Sequence, residues 1–146
     1  MRAKQDKARS ANMMALAAGL GLAFGLGACA MQAEMPLPDE GAAIFNENCV
    51  VCHGETAMGG MIEMRGMVPP DLTRISARNG GEFPRARVLS EIDGYGRMTH
   101  EGRVMPEFGG LLEGETVPVR VGDTLTPTPR PLAALLEYLE SIQLAE

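Results

Sequence analysis

The densest chemistry in the chain lies in Cys49-Val50-Val51-Cys52-His53, where two thiols stand two residues apart and an imidazole follows the second directly. Two thiols at this spacing can each add across one vinyl group of the same porphyrin, and His53 then falls beneath the iron as proximal ligand. The motif is therefore the attachment signature of a c-type haem. Other chemistries fit less well. A thioredoxin-like pair needs a βαβ setting, and the Gly-rich and Pro-rich sequence around the motif has no strand, helix, strand alternation. Structural zinc needs four donors, usually Cys and His, and besides the motif the chain offers only His100 and Cys29. A structural disulfide would give His53 no task.

Before a haem can be held, the chain has to reach a place where haem c is attached. Arg2, Lys4, Lys7 and Arg9 stand against the single Asp6, and an uncharged run rich in Ala, Leu, Gly and Met follows over residues 13–28. This is the pattern of a secretory signal. The run ends in Leu26-Gly27-Ala28-Cys29, which resembles a bacterial lipobox, and that resemblance implies that Cys29 is lipidated and becomes the new N-terminus. The expected organisation is a signal peptide over 1–28, a tether over 29–38 and one domain over 39–146. Cleavage after Ala30 or Ala33 is the alternative. A third is an uncut anchor, since residues 13–31 come close to the roughly 20 needed to span a bilayer, though Gly19, Gly21, Gly25 and Gly27 weaken it. All three export the domain to the bacterial periplasmic space, and two tether it to a membrane.

Four of the 13 basic residues and one of the 19 acids lie in the first 29 positions. The remainder carries nine arginines against 18 acids, a formal charge of −9. That balance argues against nucleic acid, whose phosphates demand cationic surface, and steers the domain toward basic partner patches. Acidity also simply keeps an exported protein soluble.

The elements that must position the haem motif come next. Pro36 and Pro38 mark a linker. Asp39 reads as a helix N-cap, with Gly41, Ile44 and Phe45 on one face leading to Cys49. Pro131 can open a last helix, whose apolar stripe is Leu132, Leu135, Leu136 and Leu139 with Tyr138 beside it. Between them, Asp71 reads as an N-cap before a short helix stopped at Gly80-Gly81, and a further helix is expected from about Pro84 to Asp93, ended by Gly94. Residues 117–123 alternate apolar and other residues, as a short strap or hairpin would.

These residues resemble the class I c-type cytochromes over 39–143. Gly41 and Phe45, eight and four residues before Cys49, look like the small residue and the aromatic of that family's first helix, and Leu135 and Tyr138 like the pair on the last helix that cross them. The resemblance implies an all-α fold, with short helices wrapped around one haem c held through Cys49 and Cys52. It implies that Pro69 or Pro70 supplies a carbonyl to the Nδ1 proton of His53, with Pro70 counted among the expected haem-binding residues. It also implies that the sixth iron ligand is Met105, in Met105-Pro106-Glu107-Phe108-Gly109. Met98, on the same Gly-rich loop but without a following proline, is the competitor.

His100 as sixth ligand would lower the reduction potential relative to a thioether; its alternative is a solvated loop residue. Met58, Met61, Met64 and Met67 invite a Cu(I) reading, but flexible apolar packing near haem accounts for them more simply. With iron bound by His53 and Met105, the expectation is a one-electron carrier and not an enzyme, with redox-protein donor and acceptor, no small-molecule substrate, and a tether through Cys29. Two other readings fit the same residues: a haem c subunit of a larger oxidoreductase complex, and a five-coordinate gas-sensing or peroxidase-like protein.

Overall fold

A proline starts the first helix. In α1 (Pro38–Asn48) Pro38 takes the first helical position and Leu37 the cap, so helix formation begins one residue before Asp39. The reason is that the first helical residue needs no N–H and benefits from a fixed φ, both of which proline supplies. Asp39 is thus a first-turn acid favoured by the helix dipole, and Glu40 reaches back to the Leu37 amide (3.4 Å). The computed structural model describes residues 34–60, 62–63, 66–95 and 104–145. Cys29, Met61, Met64, Met98 and His100 lie outside them.

A single further turn, α2 (Val50–His53), follows. Two 3-10 turns, Leu72–Arg74 and Ala77–Asn79, replace the short helix expected after Asp71. Asp71 does cap the first, accepting from the Thr73 amide (2.8 Å) and hydroxyl (2.6 Å), and Gly80 ends the second at φ 68. α3 (Arg85–Asp93) ends at Gly94, left-handed at φ 88. α4 (Arg130–Ser141) is the longest helix described, and its stripe of Leu132, Leu135, Leu136 and Leu139 is buried.

The fold is not all-α. Strands β1 (Thr116–Val121) and β2 (Thr124–Pro129) pair antiparallel, with Thr116 opposite Pro129 and Val121 opposite Thr124. The alternation in 117–123 forms a true hairpin because Val117 and Val119 find a core to enter, at 2% and 0% exposure. Gly122, at φ 58, supplies the positive φ that a two-residue hairpin turn requires. Pro118, Pro127 and Pro129 occupy alternate pairs, leaving Val117–Thr128, Val119–Thr126 and Val121–Thr124 to exchange hydrogen bonds. The missing N–H groups therefore fall on the outer edges, where they hinder addition of another strand.

The core forms where α1 crosses α4. Phe45 is fully buried and meets Tyr138 at a ring-centroid distance of 5.3 Å, tilted by 49°. At Gly41 a Cβ would stand 2.0 Å from Ala134 O and 2.6 Å from Tyr138 Cβ. The backbone opposite Gly41 is thus that of Ala134, one residue before Leu135. Two ionic contacts frame this crossing. Arg130 grips Glu40 through Nε (3.1 Å) and Nη2 (2.7 Å), donates to Glu34 O (2.8 Å), and lowers the pKa of the Glu40 carboxyl. Arg85 joins α3 to Glu137 and Glu140 of α4.

Gly41→Ala has no small adjustment open to it, because the atom it meets is backbone. It is expected to cost about 2–3 kcal/mol, the upper part of the usual range for overpacking, read from chemical unfolding followed by circular dichroism. A change below about 0.5 kcal/mol, the level of an ordinary surface substitution, would show that the helices do not cross this closely.

Candidate functional site

The Cys49 motif hangs from the end of α1. Cys49 N donates to Phe45 O (2.8 Å), and the α2 turn then closes on Cys49 O through Cys52 N (3.1 Å) and His53 N (2.9 Å). One turn of helix thereby sets the two sulfurs and the imidazole relative to one another. Cys49 and Val50 pack against the hydrophobic core. Gly54, at φ 76, ends it.

From there the chain doubles back. Gly59 N donates to His53 O (2.9 Å), Gly60 N to Pro69 O (3.2 Å) and Leu72 N to Ala57 O (2.8 Å), so residues 57–60 lie against 69–72. At Gly59, φ is +69 and a Cβ would stand 2.2 Å from Pro69 O. Only glycine meets both conditions. Ala57 is fully buried and takes φ 59, a conformation costing an L-residue roughly 1–2 kcal/mol.

This doubled segment sets the histidine. Pro70 O lies 3.3 Å from His53 Nδ1, while Pro69 O is occupied by Gly60 N. Facing a carbonyl, Nδ1 must carry the proton, which leaves the Nε2 lone pair to coordinate. His53 is 7% exposed. Burial lowers its pKa and the Pro70 hydrogen bond partly opposes that shift, so near neutral pH the imidazole is neutral and not a cation. Burial, and secondarily Cys52, pushes the Cys49 thiol up to about 11.

Cys49, Cys52, His53, Pro70 and Met105 all line one cavity of ≈ 680 Å³, within the roughly 300–1,000 Å³ typical of cofactor and ligand sites. Phe45, Val88, Ile92, Leu135 and Leu139 provide apolar wall from α1, α3 and α4. Met105 is 36% exposed on a loop that returns to the end of α3 through Phe108 N to Ile92 O (2.9 Å) and Gly109 N to Asp93 O (3.1 Å). Arg78 and Arg87 also reach the wall. Arg78 donates to Asp71 O (2.7 Å) and Arg87 to Asn79 Oδ1 (2.9 Å).

These residues fit haem c. Two thiols stand beside a buried imidazole with one nitrogen available, apolar walls suit a porphyrin, and two cations in an otherwise acidic domain suit its two carboxylates. The sequence reading did not anticipate Arg78, Arg87, Ala57 or Gly59. The arginines carried a weak signal as cations beside the 3-10 turns, whereas Ala57 and Gly59 became meaningful only once residues 69–72 were seen against them.

A family model described as "Cytochrome C oxidase, cbb3-type, subunit III" matches residues 36–117, more than half of the chain. The match takes in α1, α2, the Pro69-Pro70 segment, α3 and Met105, and stops within β1. No curated protein and no solved structure matches. The chain thus belongs to the family of cbb3-type cytochrome c oxidase subunit III, and is a c-type cytochrome, a haem c protein of electron transfer.

Proposed function

We propose that the chain is a one-electron carrier with a single haem c, attached through Cys49 and Cys52, with His53 and Met105 as axial ligands. The observation that carries this reading is the His53 Nδ1 to Pro70 O contact of 3.3 Å, on the wall of a cavity that both cysteines and Met105 also line. When bound, haem c supplies a one-electron iron couple whose potential the protein adjusts.

The chain's own residues do the adjusting. His53 donates a hydrogen bond from its Nδ1–H to Pro70 O, which fixes the ring and makes it a stronger donor to the iron. The Met105 thioether favours the reduced state relative to a second imidazole. Phe45, Leu135 and Leu139 line the cavity with apolar surface, and Arg78 and Arg87 would balance the porphyrin carboxylates. With His53 and Met105 both holding the iron, no coordination position would be left for a substrate, and in this reading the protein is a carrier and not an enzyme.

The 18 acids against nine arginines beyond residue 29 favour donor and acceptor proteins with basic docking patches. In this reading the chain is exported to the bacterial periplasmic space and tethered through lipidated Cys29, which the mass of the mature N-terminal peptide decides. Among the described residues no helix is long and apolar enough to cross a membrane. A second reading, a haem c subunit of a larger oxidoreductase complex, is favoured by the oxidase subunit named in the family description. Co-migration with a larger assembly after mild detergent extraction favours the subunit, and a lone species the mobile carrier.

Two substitutions test the ligation. Met105→Ala should abolish the sulfur-to-iron charge-transfer band of the oxidised protein and lower the potential by on the order of 100 mV, a modest part of the ~0.8 V that axial ligation spans. An unchanged band and potential would remove Met105 from the iron. Gly59→Ala pushes on Pro69 O and so on the neighbouring carbonyl that holds His53. A weaker Nδ1 hydrogen bond makes the imidazole a poorer donor to the oxidised iron, so the potential should rise by roughly 20–60 mV, the equivalent of one hydrogen bond. A fall in the potential would contradict this role for Pro70.

A further inference from the structure

The loop that carries Met105 is tied down on its C-terminal side by a small set of contacts with the end of α3. Ile92 O and Asp93 O are among the helix-terminal carbonyls that have no partner inside the helix. The Phe108 and Gly109 amides satisfy them, at 2.9 and 3.1 Å. The approach is too close for a side chain. A Cβ at Gly109 would stand 2.7 Å from Asp93 O and 2.4 Å from Asp93 Oδ1, and one at Gly94 would stand 2.5 Å from Glu107 Cγ, on a backbone already at φ +88. Beyond this point Leu111 N and Leu112 N both donate to Phe108 O (2.9 Å each). Leu112 is 5% exposed and Phe108 packs against the core. Between Met105 and the first tied amide stands Pro106, whose ring fixes φ.

We propose that Gly109, supported by Gly94, is a positioning residue for Met105: the hydrogen bonds of Phe108 and Gly109 to the α3 terminus form a clamp that holds the thioether at the cavity. This inference rests on the reading of Met105 as axial ligand. It adds that the strength of that ligand is set at the α3 terminus, by residues that do not touch the haem. Gly110 provides an internal comparison. It is exposed, and a Cβ there would meet nothing within 4 Å.

The test uses haem-loaded protein and three variants, Gly109→Ala, Gly110→Ala and Met105→Ala. The sulfur-to-iron band of the oxidised form and carbon monoxide affinity of the reduced form are read alongside thermal unfolding by circular dichroism. Gly109→Ala should weaken the band and raise carbon monoxide affinity about tenfold, the size expected for loss of one backbone hydrogen bond with its close contact, while Gly110→Ala matches the wild type. A merely structural role for Gly109 would lower the unfolding temperature and leave band and affinity alone. That result, with Met105→Ala opening the iron, would overturn the clamp and spare the ligand. If Met105→Ala itself leaves the band and affinity unchanged, the ligand reading fails and the clamp falls with it. Should Gly109→Ala not fold, imidazole added to the wild type should displace Met105 and speed amide exchange at Phe108 and Gly109 about tenfold. Unchanged exchange would overturn the coupling.

Discussion

The 3.3 Å contact between His53 Nδ1 and Pro70 O is the constraint on which the rest of the site depends. It decides which nitrogen of the imidazole carries a proton and which is left with a lone pair. It also closes a loop of 17 residues on itself. That closure requires residues 57–60 to lie against 69–72, which in turn brings Gly59 so near Pro69 that a Cβ would stand 2.2 Å from its carbonyl oxygen, and has Ala57 adopt φ 59. Local strain in the return loop is therefore the counterpart of a fixed histidine, offset by the burial of Ala57 and by the packing of Cys49 and Val50 against the hydrophobic core.

A second constraint shapes the opposite end of α1. The backbones of α1 and α4 approach so closely at Gly41 that Ala134 O occupies the place of a side chain, and Arg130 binds Glu40 and Glu34 O at the same end. The helix is thus held at its start by charge and at its middle by contact. Its end is free to serve one purpose, carrying the α2 turn that presents Cys49, Cys52 and His53 to the cavity. The hairpin adds to the core from outside this frame through Val117 and Val119, while prolines on its edges keep it from pairing further.

Much of this was legible in the sequence because it is local. The spacing of Cys49, Cys52 and His53, the glycine stop at Gly94 and the stripe on α4 each follow from a few neighbouring residues. The cap of α1 was misplaced by two residues, at Asp39 instead of Leu37, because Asp39 is a good cap, and only the preference of proline for the first helical position moves it. The all-α expectation failed over 116–129, where alternation was visible but the core that rewards it was not. Gly59, Ala57 and Ala134 matter through residues distant in sequence, so no local pattern marks them. Arg78 and Arg87 are ordinary surface cations until the cavity wall is assembled around them.

The central claim is that the iron is closed on both sides, by His53 and by Met105. The most direct measurement is the absorption spectrum of the haem-loaded protein, oxidised and reduced, before and after carbon monoxide is added to the reduced form. The account predicts a low-spin spectrum with a sulfur-to-iron band and only weak, slow binding of carbon monoxide. A high-spin spectrum or rapid carbon monoxide binding would mean an open coordination position, and would contradict a carrier in favour of a sensor or a peroxidase-like enzyme.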